Sequence, residues 1–157
     1  TSKPPPLQAG VLAIQRSDEQ VVARHGKGTI VGAHFGCAAE EMDYVADVMR
    51  KHPHYIVDVA ARLQDIGRYD PSRVVEFFTE FQDRILFATD AFFDNASSQP
   101  EHVIFLWGKY REYFETKNKG MENPSRLLKG PINAVGLSSD ILAKIYHLNA
   151  KRYLVVQ

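Results

Sequence analysis

The sequence predicts an α/β protein whose parallel sheet has about three strands flanked by helices, and three observations carry that expectation. Residues 29–34, 55–60 and 84–90 are short apolar runs with the length and β-branched content of buried strands. Segments with helix-period apolar stripes lie between them. The spacing is nearly constant, 27 residues from Thr29 to Ile56 and 29 from Ile56 to Ile85, as expected of a repeated βα unit with right-handed crossovers.

Taken in order, residues 1–8 form a proline-rich leader expected to be flexible, and residues 1–157 are expected to make one domain. The leader has neither an initiator methionine nor an apolar signal core, which points to a start inside a longer chain. Residues 8–24 mix Val11, Leu12, Ile14, Val21 and Val22 with charges and predict a helix stopped by Gly26 and Gly28. The strand at 29–34 follows, with glycines inside and before it, and is expected to be buried on both faces. Residues 38–50 place Met42, Val45, Ala46 and Met49 on one helical stripe, closed by Pro53. After the second strand, a loop carries Arg62, Asp65, Gly67 and Arg68. Asp70 before Pro71 reads as an N-cap with proline in the first helical position, and Val74, Phe77, Phe78 and Phe81 form the next stripe. The third strand ends at Asp90. Residues 94–100 read as loop, Val103 to Phe114 as an aromatic-rich helix, and 117–131 as an extended loop. A last helix begins near Ser138, buries Ile141, Leu142, Ile145 and Leu148, and ends near Ala150.

Composition narrows the function classes. With 19 basic and 19 acidic residues and no basic run longer than a pair, the chain lacks the charge footprint of a nucleic-acid or membrane-surface binder. One cysteine, Cys37, makes no internal disulfide and fits a cytoplasmic location. It follows Gly36 and reads as a small packed residue. Both outer strands are as apolar as the middle one and carry none of the usual edge protection, so the sheet is expected to continue into further residues or a partner chain.

Two polar residues end apolar strands, His34 and Asp90. The C-terminal edge of a parallel sheet is where loops converge on rigid positions, so ligands and catalytic groups gather there. Asp58 lies within the second strand, Arg62 just past it, and Asp94 after the third. Imidazole and carboxylate together suit zinc, manganese or iron, or an acid/base pair. Each also has an ordinary structural reading: His34 as a hydrogen-bonded core group, Asp90 as a turn cap, and Arg62 and Arg68 as solvated residues or partners of Asp58 and Asp65. The other histidines, His25, His52, His54, His102 and His147, have no metal-type spacing. Gly26-Lys27-Gly28 precedes a strand instead of following one, so no phosphate-cradling turn is present, which counts against a flavodoxin-like module.

The strings Val31-Gly32-Ala33-His34-Phe35-Gly36, Tyr55-Ile56-Val57-Asp58-Val59-Ala60-Ala61-Arg62 and Gln82-Asp83-Arg84-Ile85-Leu86-Phe87-Ala88-Thr89-Asp90 resemble the last strands of the amidohydrolase-related branch of the metal-dependent hydrolase superfamily. Residues 140–152, with Asn149-Ala150, resemble that branch's closing helix. The resemblance runs from about Glu19 to Tyr153. It implies a partial (β/α)8 barrel in which this chain supplies strands six to eight. It implies His34 as a metal ligand or substrate-facing group and Asp90 as a metal ligand that also handles the proton of the attacking water. Asp58 and Arg62 match family positions and are assigned to substrate binding. Ala88 departs from the glycine usual before Thr-Asp.

The HxH pair of strand one, the bridging residue of strand four and the histidine of strand five have no counterpart here. Two ligands do not hold a catalytic metal, and a whole barrel needs about 250 residues. The expectation is therefore a hydrolase of small molecules using a divalent metal, most readily zinc, with this chain supplying the C-terminal part of the site. A decarboxylase of the same type is one alternative. Another is a non-catalytic half-barrel that assembles with itself or with a partner supplying the N-terminal half.

Overall fold

The three apolar runs pair as one parallel sheet in the order β1-β2-β3 in a computed structural model, which describes residues 19–26, 28–91, 100–124 and 130–154. β1 is Ile30–Gly32, β2 is Tyr55–Asp58 and β3 is Ile85–Leu86. Val31 stands opposite Ile56, and Val57 opposite Ile85. The α/β architecture with flanking helices is therefore present. The leader at 1–8, the start of the first helix, Asp94 with its loop and residues 125–129 lie outside the described residues.

Each strand is shorter than the sequence predicts, for a local reason. Val59 donates its N–H to the Leu86 carbonyl as the last rung between β2 and β3, and then Ala61 turns left-handed with φ 52°. Beyond Leu86, β3 has no neighbour to ladder with. β1 stops because His34 enters a left-handed turn. The expectation that β1 is buried on both faces is corrected: Val31 is 39% exposed, since β1 is an edge strand. Central β2 matches its apolar sequence, with Ile56 and Val57 fully buried.

The helices follow their stripes. In α1, Met42–Lys51, the buried residues include Met42, Val45, Ala46 and Met49. A single helical turn, α2, occupies Leu63–Ile66 where the sequence reads as loop. In α3, Pro71–Glu80, the Asp70 carboxylate accepts the Ser72 N–H at 2.9 Å, satisfying one orphan donor of the first turn. The hydroxyl and N–H of Ser72 hold the Asp70 carboxyl below its ordinary range. Its contribution is present above the unfolded carboxyl range and is lost as pH falls through the lower native value. The urea midpoints of wild type and Asp70→Ala should therefore differ at neutral pH and converge in acid. Equal midpoints at neutral pH would remove the cap.

Phe77 is the hub of the core, with ring centroids 5.0 Å from Phe35 and 4.8 Å from Phe81. Phe78 meets Phe114 of α4, Pro100–Glu115, at 5.3 Å. The C-terminal half of α4 buries Tyr110, Tyr113 and Phe114, whereas Ile104 and Trp107 in its first half are exposed. Among the described residues, no helix is long and apolar enough to cross a membrane.

The closing helix departs most from sequence expectation. It runs as α5, Ser139–Ala143, then a π-helical turn, Lys144–Leu148, then α6, Asn149–Leu154. The turn widens so that the Asn149 N–H bonds the Lys144 carbonyl five residues back. One extra residue shifts the helical phase. Leu148, expected inside, is 45% exposed, and Asn149 takes the interior place at 2%. The Asn149 amide then donates to the Gln82 carbonyl at 2.7 Å and the Ile85 carbonyl at 2.8 Å. The Phe87 N–H donates to the Ile145 carbonyl at 2.9 Å. The outer edge of β3 is thus occupied by the closing helix, which corrects the expectation that the sheet continues on that side.

Candidate functional site

Parallel pairing puts the C-terminal ends of all three strands on one edge of the sheet, the edge where His34, Asp58 with Arg62, and Asp90 leave their strands. At β1 the chain makes a left-handed turn over Ala33–Gly36, with φ of 55° at His34, 59° at Phe35 and 64° at Gly36, continued by 51° at Cys37. Left-handed backbone costs a non-glycine residue about 1–2 kcal/mol, so the turn persists only because it is held from several sides.

Phe35 is fully buried against Phe77. Cys37 donates its N–H to the Ala33 and His34 carbonyls at 3.2 and 3.0 Å. The expectation that Cys37 is packed is corrected: it is exposed, because the turn projects it away from the core. Tyr55 lies across the turn so closely that a Cβ on Gly32 would meet its hydroxyl at 2.0 Å, and one on Gly36 at 2.5 Å. Gly32→Ala is expected to cost about 1–3 kcal/mol by overpacking, read as a lower urea midpoint. An unchanged midpoint would show that Tyr55 moves aside freely.

His34 and Asp58 are brought together. One carboxylate oxygen of Asp58, Oδ1, accepts the His34 N–H at 2.8 Å and the Ala60 N–H at 3.1 Å. The His34 ring places Nδ1 3.0 Å from the Ala60 carbonyl. A carbonyl only accepts, so Nδ1 carries the proton and the lone pair of the neutral ring lies on Nε2. This is the arrangement a metal-ligating or basic histidine takes when its other nitrogen is tied to the backbone.

Asp90 also has left-handed backbone, φ 59°, and is exposed. Among the described residues it makes no hydrogen bond to His34 or Asp58. Arg62 pairs instead with Asp65, Nη1 to Oδ2 at 3.4 Å, one of the two ordinary readings of its sequence position. Asp65 is only 5% exposed, and burial, reinforced by Glu40 and opposed by Arg62, raises its carboxyl above the ordinary range. A raised native value means that stability is present below the unfolded value and is lost as pH rises through the native one. Asp65→Asn should therefore gain on wild type as pH rises above 3.8, the ordinary value, in urea unfolding at several pH values. A constant difference would show no shift.

Three contributors were not singled out from the sequence. The Ala60 carbonyl is backbone and carries no residue signal. Tyr55 is readable only as a strand aromatic, although Gly32 and Gly36 four apart mark a close approach. Tyr110 donates its hydroxyl to the Val59 carbonyl at 3.0 Å, tying α4 to the loop after β2, and burial pushes it up to about 12. Its helical stripe reads simply as core.

Donor chemistry at His34 suits a divalent metal, but among the described residues no three His, Cys, Asp or Glu side chains could hold one. These donors alone do not make a catalytic metal site, which normally uses at least three protein ligands. A family model described as amidohydrolase matches residues 12–154. No curated protein and no solved structure matches the chain.

Proposed function

The chain belongs to the amidohydrolase family, in the amidohydrolase-2 branch of the metal-dependent hydrolase superfamily, and from that premise we propose a hydrolase of small molecules to whose site this chain contributes the C-terminal strands of a partial barrel that extends from the β1 side. His34 and Asp90 are its catalytic residues and this chain's two metal donors, completed by ligands of the missing strands. Zinc is the preferred ion, with manganese or iron next. Asp90, exposed at the sheet edge, takes the proton of the attacking water as general base. Asp58 and Arg62 line the substrate side of the same edge.

The observation that carries this reading is the state of the His34 ring. With Nδ1 donating to the Ala60 carbonyl, Nε2 offers a lone pair. That suits a ligand or a base, and it disfavours donation to a developing oxyanion, which needs a proton on Nε2. Asp90→Asn and His34→Ala are each expected to abolish hydrolysis and lower bound metal by elemental analysis, with unchanged circular dichroism. Full turnover in either variant would overturn the assignment.

Among the described residues no strand pairs with the outer edge of β1, and the exposed Val31 there favours a second reading, a non-catalytic unit that assembles through that edge. Light scattering separates the two: a metal-free assembly without turnover supports it, and a metal-free monomer sinks both.

A further inference from the structure

We propose that Asp58 is the positioning residue for His34, acting as a hydrogen-bond acceptor and not as a proton carrier or metal ligand. It shares with the proposed function only the premise that His34 is a working residue.

The reasoning starts from the two N–H groups that converge on one oxygen. His34 N–H and Ala60 N–H both donate to Asp58 Oδ1, at 2.8 and 3.1 Å. The first bond pins the residue that enters the left-handed turn. The second pins Ala60, whose carbonyl receives Nδ1 of the same histidine. Asp58 therefore holds His34 at both ends: at the backbone directly, and at the ring through the Ala60 peptide. Ala61 beside it is left-handed at φ 52°, so the loop after β2, like the turn after β1, sits in a backbone region that its own residues do not favour. Without a fixed acceptor both segments have reason to relax, and the ring would then be free to take its proton on Nε2, the tautomer an unrestrained histidine favours.

An acceptor role and a chemical role differ in what they demand of the side chain. Asparagine retains one carbonyl oxygen that can stand where Oδ1 stands and accept both N–H groups, but it neither carries a proton nor binds a metal as a carboxylate does. Asp58→Asn therefore preserves a clamp and destroys a base, whereas Asp58→Ala destroys both.

The test reads the ring itself by nitrogen NMR of the histidines in the full chain, metal-free and without substrate. The spectra are recorded at a pH of about 8, above the ordinary imidazole range. Wild type and Asp58→Asn are expected to show His34 protonated on Nδ1. Asp58→Ala is expected to lose that signature while keeping its circular dichroism, with amide exchange at His34 and Ala60 faster by about tenfold. The proposal is overturned by an Nε2–H ring in wild type, by an unchanged ring in Asp58→Ala, or by an asparagine variant that behaves like alanine. If the alanine variant does not fold, an Nε2–H ring in wild type or in Asp58→Asn still overturns the proposal. No outcome depends on metal or turnover, so failure of the proposed function leaves this result standing, and the reverse.

Discussion

Asn149→Ala is expected to lower the free energy of unfolding by about 2–4 kcal/mol. One buried amide closes two bonds, to the Gln82 and Ile85 carbonyls, and alanine leaves both acceptors without their donor where the closing helix excludes water. The Ile85 carbonyl belongs to the outer edge of β3, so the substitution also loosens the seal on a sheet edge, and association on a second strand becomes available. Urea unfolding should report the energy and light scattering the association. Asn149→Asp should be no better than alanine, because a carboxylate cannot donate. A loss below about 1 kcal/mol in both variants would show that the helix seals β3 through the Phe87 to Ile145 bond alone.

Phe35→Ala is expected to cost about 3–5 kcal/mol, the range for removing a buried aromatic ring. Phe35 is fully buried with its ring 5.0 Å from Phe77, the residue that links the turn after β1 to the core of α3. The substitution removes this anchor from a left-handed turn that is costly for its own residues, so it should act at a distance as well. His34 is the next residue back, and its bonds to Asp58 and Ala60 should weaken together. Chemical denaturation measures the first effect, and amide exchange at His34 the second. Phe35→Leu, which keeps an apolar group in the pocket, should recover most of both. A cost under about 1 kcal/mol would mean that the turn is held by Asp58 and Tyr55 and not by the core.

These effects come from features that differ in how legible they were. The βα repeat, the stripe of α1, and the Asp70-Pro71 start of α3 are local: side-chain periodicity and capping are written in neighbouring residues, and each was readable. His34 and Asp90 were readable as polar endings of apolar strands, and the family match over residues 12–154 agrees with the resemblance of those strings. The strand lengths were not legible. They depend on where a neighbouring strand stops, as β3 stops laddering once Ala61 turns β2's continuation away.

The interior place of Asn149 and the exposure of Leu148 were equally hidden. A 3.6-residue period assigns Leu148 to the core, and only the contact between the Ile145 carbonyl and the Phe87 N–H shows why the helix widens there. The same holds at the site. Sequence alone determined that the chain is an α/β repeat with a histidine and aspartates at strand ends, because apolar burial and residue chemistry are properties of the residues themselves. Tertiary structure decided that Asp58 holds His34, that Ala60 sets its proton, and that the closing helix seals β3. Those outcomes rest on backbone donors and acceptors that every residue carries alike, and only three-dimensional proximity pairs them.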